Sequence, residues 1–386
     1  MSILFIADDF PPDVGGIQTY ACELARATAQ LGEEVAVVAS RQEASQAVDG
    51  ELPYPVVRVP TGGGYVAAAM NLAAGVEQAR QILHEPPRCL VATKWSPEGP
   101  AAILAWRMLR CTMVLIGHGG EFCHTGGNIV KWLAQRVVLR RMDLFLANSE
   151  YTAELFRRAG APRERIGIIY GGVRPERFEC SADQVAAVRR ELGVGDRPML
   201  LTVSRLVERK GHETVLRALP RVLAEVPEAL YVIVGDGPTA ERLAEVAEEL
   251  GVAGSVILAG HVEEARLPAV HCAADVFVMP SHPVRAELAE GLGLAFLDAA
   301  AAATPCVGTH FGGIPDAIVD GETGLLVEPQ DEQALGASLV RLLSEPETAL
   351  RMGEAGRERV RREFTWRRVA ERFLAELSRI DSGGSR

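Results

Sequence analysis

With 386 residues, 48% of them apolar, the chain is long enough for two globular domains, and no apolar run reaches the ~18 residues of a membrane span. A formal net charge of −11 excludes general nucleic-acid binding. The seven cysteines are scattered without a CxxC pair, which argues for thiols in a reduced compartment and against a disulfide framework.

The N-terminal MSILFIADDF lacks the basic start and small-residue cleavage site of a secretory leader and is expected to be a first core strand, so a cytoplasmic location follows. Strands are predicted at 3–8, 35–39, 56–60, 89–93, 113–117, 144–148 and 166–170, most separated by helical stretches such as 17–31 and 130–141. This is the rhythm of a parallel sheet covered on both faces. Straight after the first strand, FPPDVGGIQT sets Gly15 and Gly16 at the opening of a helix, where backbone amides can approach an anion. It is not a GxGxxG, so no dinucleotide fingerprint is present. His118, flanked by glycines at the end of strand 113–117, faces the carboxyl edge of the sheet. His118, Cys123 and His124 lie close together, but their spacing fits no zinc pattern, and no metal is expected. Residues 107–141 are locally basic, with Arg107, Arg110, Lys131, Arg136, Arg140 and Arg141 against Glu121 alone. The stretch VKWLAQRVVLRR within it suits a peripheral contact with anionic lipid, set against an ordinary covering helix with solvated arginines.

The Gly171-Gly172-Val173-Arg174-Pro175 segment reads as the connection between two domains, with the hinge near Gly172. A second strand series follows at 199–205, 230–235, 256–260, 276–280, 305–308 and 325–327. Arg205 ends the first of these and Lys210 precedes a helix, a guanidinium and an ammonium suited to a diphosphate. Gly235-Asp236-Gly237-Pro238 is a tight turn, and Val262 follows the strand exit at Gly260. The richest segment is E-G-L-G-L-A-F-L-D from Glu290 to Asp298. If a helix begins near Leu292, the amides of Leu292, Gly293 and Leu294 form a phosphate site between two hydroxyl-binding carboxylates. A nucleotide sugar has phosphates between two sugars and matches that order.

Together these segments resemble the retaining glycosyltransferases of the GT-B fold, specifically glycosyltransferase family 4. The resemblance covers FPPDVGG, SRLVERKGH, VGDGP, ADVFVMPS, the run from EGLGLAFLD through GETGLLV, and FTWRRV at the last helix. The stretch from Ala286 to Leu294 is most similar to the GDP-mannose-dependent phosphatidylinositol mannoside mannosyltransferases.

The resemblance implies an α/β chain of two Rossmann-like domains facing across a cleft: 1–172 plus 367–386 for the acceptor, and 173–366 for the donor. It implies that Arg205 and Lys210 hold the diphosphate and that Glu290 meets the transferred sugar. Leu292, Gly293 and Leu294 would help hold sugar and phosphates, Asp298 the ribose hydroxyls, and Val262 the base. Gly15 and Gly16 would approach phosphate or acceptor, and His118 would lie near the sugar. No cofactor is implied. The partners are a GDP-mannose or UDP-sugar donor and a lipid, glycan or small-molecule acceptor, with membrane contact through 107–141 and no nucleic acid. Two positions depart from the family pattern: Asp298 stands where Glu is usual, and Tyr170-Gly171-Gly172-Val173 where Asn-Gly-Val is frequent. The competing readings are a nucleotide-sugar epimerase of the same fold and a non-catalytic nucleotide-sugar-binding paralogue.

Overall fold

The computed structural model describes residues 1–13, 15–120, 129–284 and 290–383. The chain divides into two compact units, Met1–Gly172 with Trp366–Arg386, and Val173–Thr365. No helix among the described residues is long and apolar enough to cross a membrane.

The first unit holds β1 (Ser2–Ala7), β2 (Glu34–Ser40), β3 (Val56–Val59), β4 (Cys89–Ala92), β5 (Thr112–Gly117), β6 (Leu144–Ala147) and β7 (Ile166–Ile168). They form one parallel sheet in the order β3-β2-β1-β4-β5-β6-β7. Side-chain alternation along β1 divides the core between the two faces. Ile3, Phe5 and Ala7 pack with the helices Gly16–Gln30 and Trp366–Gly383, whereas Leu4 and Ile6 pack with Gly64–Ile82 and Glu98–Leu109. Strand order reverses between β1 and β4, so the loops leaving those two strands diverge and open a crevice at their carboxyl ends.

Trp366 belongs to this first unit, which corrects its expected place at the end of the second domain. Its ring stands edge-on to Tyr20 at 5.5 Å, and a Cβ on Gly172 would sit 2.6 Å from it. The chain therefore returns one residue earlier than expected, because the indole is the first side chain of the last helix to enter the core beside Tyr20 and Val369.

The second unit holds β8 (Met199–Val203), β9 (Leu230–Val234), β10 (Val256–Gly260), β11 (Val276–Val278), β12 (Cys306–Thr309) and β13 (Gly324–Val327). Its parallel order is β10-β9-β8-β11-β12-β13, with the reversal between β8 and β11. All thirteen strands among the described residues fall where β-branched runs predict them. Several expected strands run too far at the carboxyl end, as at 199–205 and 276–280, because those residues turn away from the ladder to line the sheet edge.

Candidate active site

At the switch point of the second sheet, β8 leads into a loop and a single tight turn, Glu208–Lys210. Gly211 ends that turn at φ +77°, and a Cβ there would lie 2.1 Å from the Pro280 carbonyl oxygen. Only glycine fits, and it brings the turn hard against the chain leaving β11. Lys210 and Arg209 consequently converge on one carboxylate. Glu290 Oε2 lies 2.7 Å from Lys210 Nζ and 2.8 Å from Arg209 Nη1. Burial by itself would raise the Glu290 pKa, but Lys210 and Arg209 outweigh it and hold the carboxyl below its ordinary value. Burial lowers the Lys210 pKa; Glu290 opposes the fall, and Arg209 and Arg205 add to it. Arg205 is exposed and forms no ion pair among the described residues. Two cations thus meet one carboxylate, with Arg205 close enough to Lys210 to depress its pKa, and the excess positive charge suits a diphosphate.

Behind the loop runs a buried relay. Ser204 Oγ lies 3.0 Å from His212 Nε2, His212 Nδ1 3.3 Å from the Tyr231 hydroxyl, and that hydroxyl 2.9 Å from Thr202 Oγ1. Burial drives the His212 pKa down to about 4, so the ring is neutral and ties the cationic loop to β8 and β9 without adding charge.

The helix after Glu290 spans Leu294–Ala301, two residues later than the expected start. Gly293, at φ +82°, is its N-cap, and the first closing bond runs from Phe296 N–H to Gly293 O at 2.9 Å. The left-handed turn at Gly293 delays the helix and leaves the N–H groups of Leu292, Gly293, Leu294 and Ala295 without an acceptor among the described residues. Glu290 is clamped just before them. Its carbonyl accepts the Gly313 N–H at 2.9 Å, and a Cβ on Gly312 would come within 2.3 Å of that oxygen. Amides without an acceptor among the described residues, two cations bonded to Glu290 and the nearby Arg205 make an anion site with a carboxylate at its rim.

Asp298 is the fifth residue of this helix. Burial pushes its pKa up to about 7, with Arg177 pulling it down and Glu264 pushing it up. Arg177 and Glu264 are paired at 3.3 Å. Val262, half-buried in the loop after β10, lies two residues before Glu264.

The remaining candidates belong to the first unit. The helix after β1 starts at Gly16, with extended backbone at Gly15 and no side-chain cap. His118 follows β5, and its Nε2 lies 2.9 Å from the Thr93 carbonyl. A carbonyl only accepts, so Nε2 carries the proton. Burial lowers the His118 pKa to about 4, which keeps the ring neutral, and it stands edge-on to Tyr20 at 4.9 Å. Val14, Glu121, Cys123, His124 and the Ala286–Ala289 part of the signature lie outside the described residues. No metal-binding cluster of His, Cys, Asp or Glu occurs among the described residues.

The structure thus brings Lys210, Glu290 and the 292–294 amides together within the second unit, and sets Asp298 deeper in the same helix. Arg209, Arg177, Glu264 and His212 escaped the sequence reading. The run Arg209-Lys210 held the signal for the first, since a tight turn can point adjacent cations at one partner. Arg177 and Glu264 are 87 residues apart and carry no local signal.

Comparison with known proteins identifies the family of the chain. Residues 14–177 match the family described as Glycosyltransferase Family 4, and residues 185–359 match Glycosyl transferases group 1. The chain is 34% identical, over 97% of both proteins, to a GDP-mannose-dependent alpha-(1-6)-phosphatidylinositol monomannoside mannosyltransferase of Mycolicibacterium smegmatis. It is 28% identical to a glycogen synthase of Mycobacterium tuberculosis, over 96% of this chain and 92% of that one. Among solved structures, Anabaena HepE in complex with UDP superposes with a TM-score of 0.80 at 21% identity, covering 98% of this chain and 100% of that one. Sucrose-phosphate synthase from Thermosynechococcus elongatus gives 0.81 at 22%, covering 99% and 100%. Both are likenesses of fold, that of two Rossmann-like domains.

Proposed function

The chain belongs to the family 4, group 1 glycosyltransferases, and from that premise we propose that it transfers a mannose- or glucose-type hexose from a nucleoside diphosphate sugar to a hydroxyl acceptor, with retention and without a metal ion. The observation that carries this reading is the convergence of Arg209 and Lys210 on Glu290 beside the amides of 292–295, which have no acceptor among the described residues. When the sugar leaves, negative charge develops on the β-phosphate. Lys210, Arg209, Arg205 and the helix N-terminus are fixed donors for that charge. Glu290, relieved of its cations by the phosphates, is left with oxygens to accept hydroxyls of the sugar. Asp298 accepts the ribose hydroxyls in its ionised form.

The donor we favour is GDP-mannose, since the relative that uses it is 34% identical, whereas the UDP-bound structure is 21% identical. Thermal unfolding with GDP, UDP and ADP, in the presence of EDTA, tests both points. GDP should give the largest rise in midpoint. Equal or absent shifts with all three would sink the donor site, and the anomeric configuration of the product, read by NMR, tests retention.

We also propose that the enzyme docks on anionic membrane through the helix Ile129–Arg141. Ile129, Leu133 and Val137 recur every four residues and are 64%, 52% and 50% exposed, while Val138 and Leu139 face the core. Leu104 and Met108, exposed on the neighbouring helix Glu98–Leu109, extend the apolar surface. Arg107, Arg110, Lys131, Arg136, Arg140 and Arg141 supply the charge, at about 1 kcal/mol each near an anionic surface. Flotation with phosphatidylinositol vesicles at low salt should carry the protein up, and phosphatidylcholine vesicles should not. Equal flotation of a Leu133→Asp, Val137→Asp variant would refute this surface.

A further inference from the structure

The segment that follows Gly172 carries a thiol that the donor chemistry does not use, and it meets a second one. Cys180 lies between the turn Pro175–Phe178 and the helix Ala182–Glu191, and both of these elements pack on the helix Leu267–Cys272. Cys272 is the last residue of that helix, so two cysteines far apart in sequence come to one place.

The contact is direct. The Cys272 thiol donates to the Phe178 carbonyl at 3.2 Å, and the Cys180 side chain and N–H both reach the same sulfur. Neighbouring contacts fix the backbone on either side. The Phe178 ring stands edge-on to the His271 ring at 6.0 Å, Arg177 donates to the Glu264 carbonyl at 3.0 Å, and Arg189 donates to the Ala273 carbonyl. Both thiols are free and half-buried, within reach of a small solute, whereas Cys22, Cys89 and Cys306 are buried. A disulfide in a chain otherwise kept reduced is usually transient and redox-sensing. Burial pushes the Cys272 thiol up to about 12, and the neighbouring Cys180 thiol adds to the rise. Cys272 therefore stays protonated at neutral pH, and since the thiolate is the nucleophile, the first attack falls to Cys180.

We propose that Cys180 and Cys272 form a reversible redox modification site, closed to a disulfide by small-molecule disulfides of the glutathione class. The Cys180 thiolate attacks one sulfur of the oxidant RSSR. The S–S bond breaks, RS⁻ leaves and takes up the proton that Cys180 released, and a mixed disulfide remains on Cys180. Cys272 then loses its proton as its sulfur attacks that of Cys180, and the second RS⁻ leaves and takes up this proton. The protein gives up two electrons and two protons, and the oxidant becomes two RSH. With Cys180 held neutral in the mixed disulfide, its electrostatic opposition to a Cys272 thiolate is gone, which favours the second step. The closed bond pins residues 173–181 to the end of the helix Leu267–Cys272.

The test equilibrates the full chain in mixtures of reduced and oxidised glutathione, blocks the remaining thiols by alkylation and maps the peptides by mass spectrometry. A peptide linking Cys180 to Cys272 should form, and dithiothreitol should reverse it. Cys272→Ser should instead collect glutathione at Cys180, whereas Cys180→Ser should collect it at Cys272 about tenfold more slowly. Amide hydrogen exchange across 173–181 should be slower in the oxidised wild type than in the reduced. Failure of the link to form under full oxidation, a glutathione adduct at wild-type Cys180 that does not resolve, or a bond from either residue to another cysteine would each overturn the site. Unchanged exchange in the linked protein would overturn the pinning of 173–181. The wild-type map decides the proposal even where a serine variant fails to fold.

Discussion

Lys210 Nζ and Glu290 Oε2, 80 residues apart in the chain, lie 2.7 Å from each other at the carboxyl edge of the second sheet. Both side chains are nearly buried, so each holds the other's charge in place and neither can be removed without consequence. The pair keeps the cationic loop assembled before a donor arrives.

Lys210→Ala should lower kcat/KM for the nucleotide sugar by about 10²–10³, the effect of removing one donor aimed at developing charge. Arg209→Ala should have a smaller effect on rate, because Lys210 still neutralises Glu290. Steady-state kinetics of both variants, with melting temperatures to establish folding, would contradict this order if Arg209→Ala proved the more damaging.

Asp298 gives the donor site a pH response. Burial raises its folded pKa to about 7, well above the ordinary carboxylate range, so its contribution to stability is complete below about pH 4 and is lost as pH rises towards 7. Asp298→Asn should flatten stability across that window. In the proposed donor site the ionised carboxylate accepts the ribose hydroxyls, so the affinity of the wild-type protein for GDP-mannose should rise from pH 6 to pH 8, and that of Asp298→Asn should not. Calorimetric titration at the two pH values measures this directly.

Glu98→Gln should show a second window, set higher. Burial raises the folded pKa to about 8, far above the ordinary carboxylate range, so wild-type stability continues to fall up to pH 8, while the variant's does not. The difference in melting temperature between variant and wild type should therefore grow from pH 5 to pH 8.5. A constant difference would show that Glu98 does not titrate in this range.

Gly211→Ala should destabilise the protein by more than about 1 kcal/mol, since a Cβ meets the Pro280 carbonyl and φ is +77°. The strain falls on the turn that presents Lys210, so nucleotide binding should weaken together with stability. Urea unfolding and GDP titration of the one variant check both halves of the statement.

Much of the fold is readable from residue pattern. Short runs such as LLTV and YVIV, buried on both faces, can only be inner strands of a parallel sheet, and the helices between them supply the cover. The signature from Glu290 to Asp298 likewise marks a helix start with a carboxylate on either side. The helix start itself lies two residues further on, because the left-handed turn at Gly293 depends on how close Phe296 and Glu290 come to that glycine, which local propensity does not encode.

The chain by itself determined the two parallel sheets, the carboxyl-edge position of Arg205, Lys210, His118 and Glu290, and the family to which they belong. These follow from side-chain period and local spacing, which act over a few residues. Tertiary structure decided which charges meet: Arg209 and Lys210 on Glu290, Arg177 on Glu264 near Asp298, and Lys94 on Asp9. It also returned Trp366 to the first unit, against Tyr20. Such pairings are set by burial and distance between residues remote in sequence, and burial gives Asp298 and Glu98 their raised pKa values.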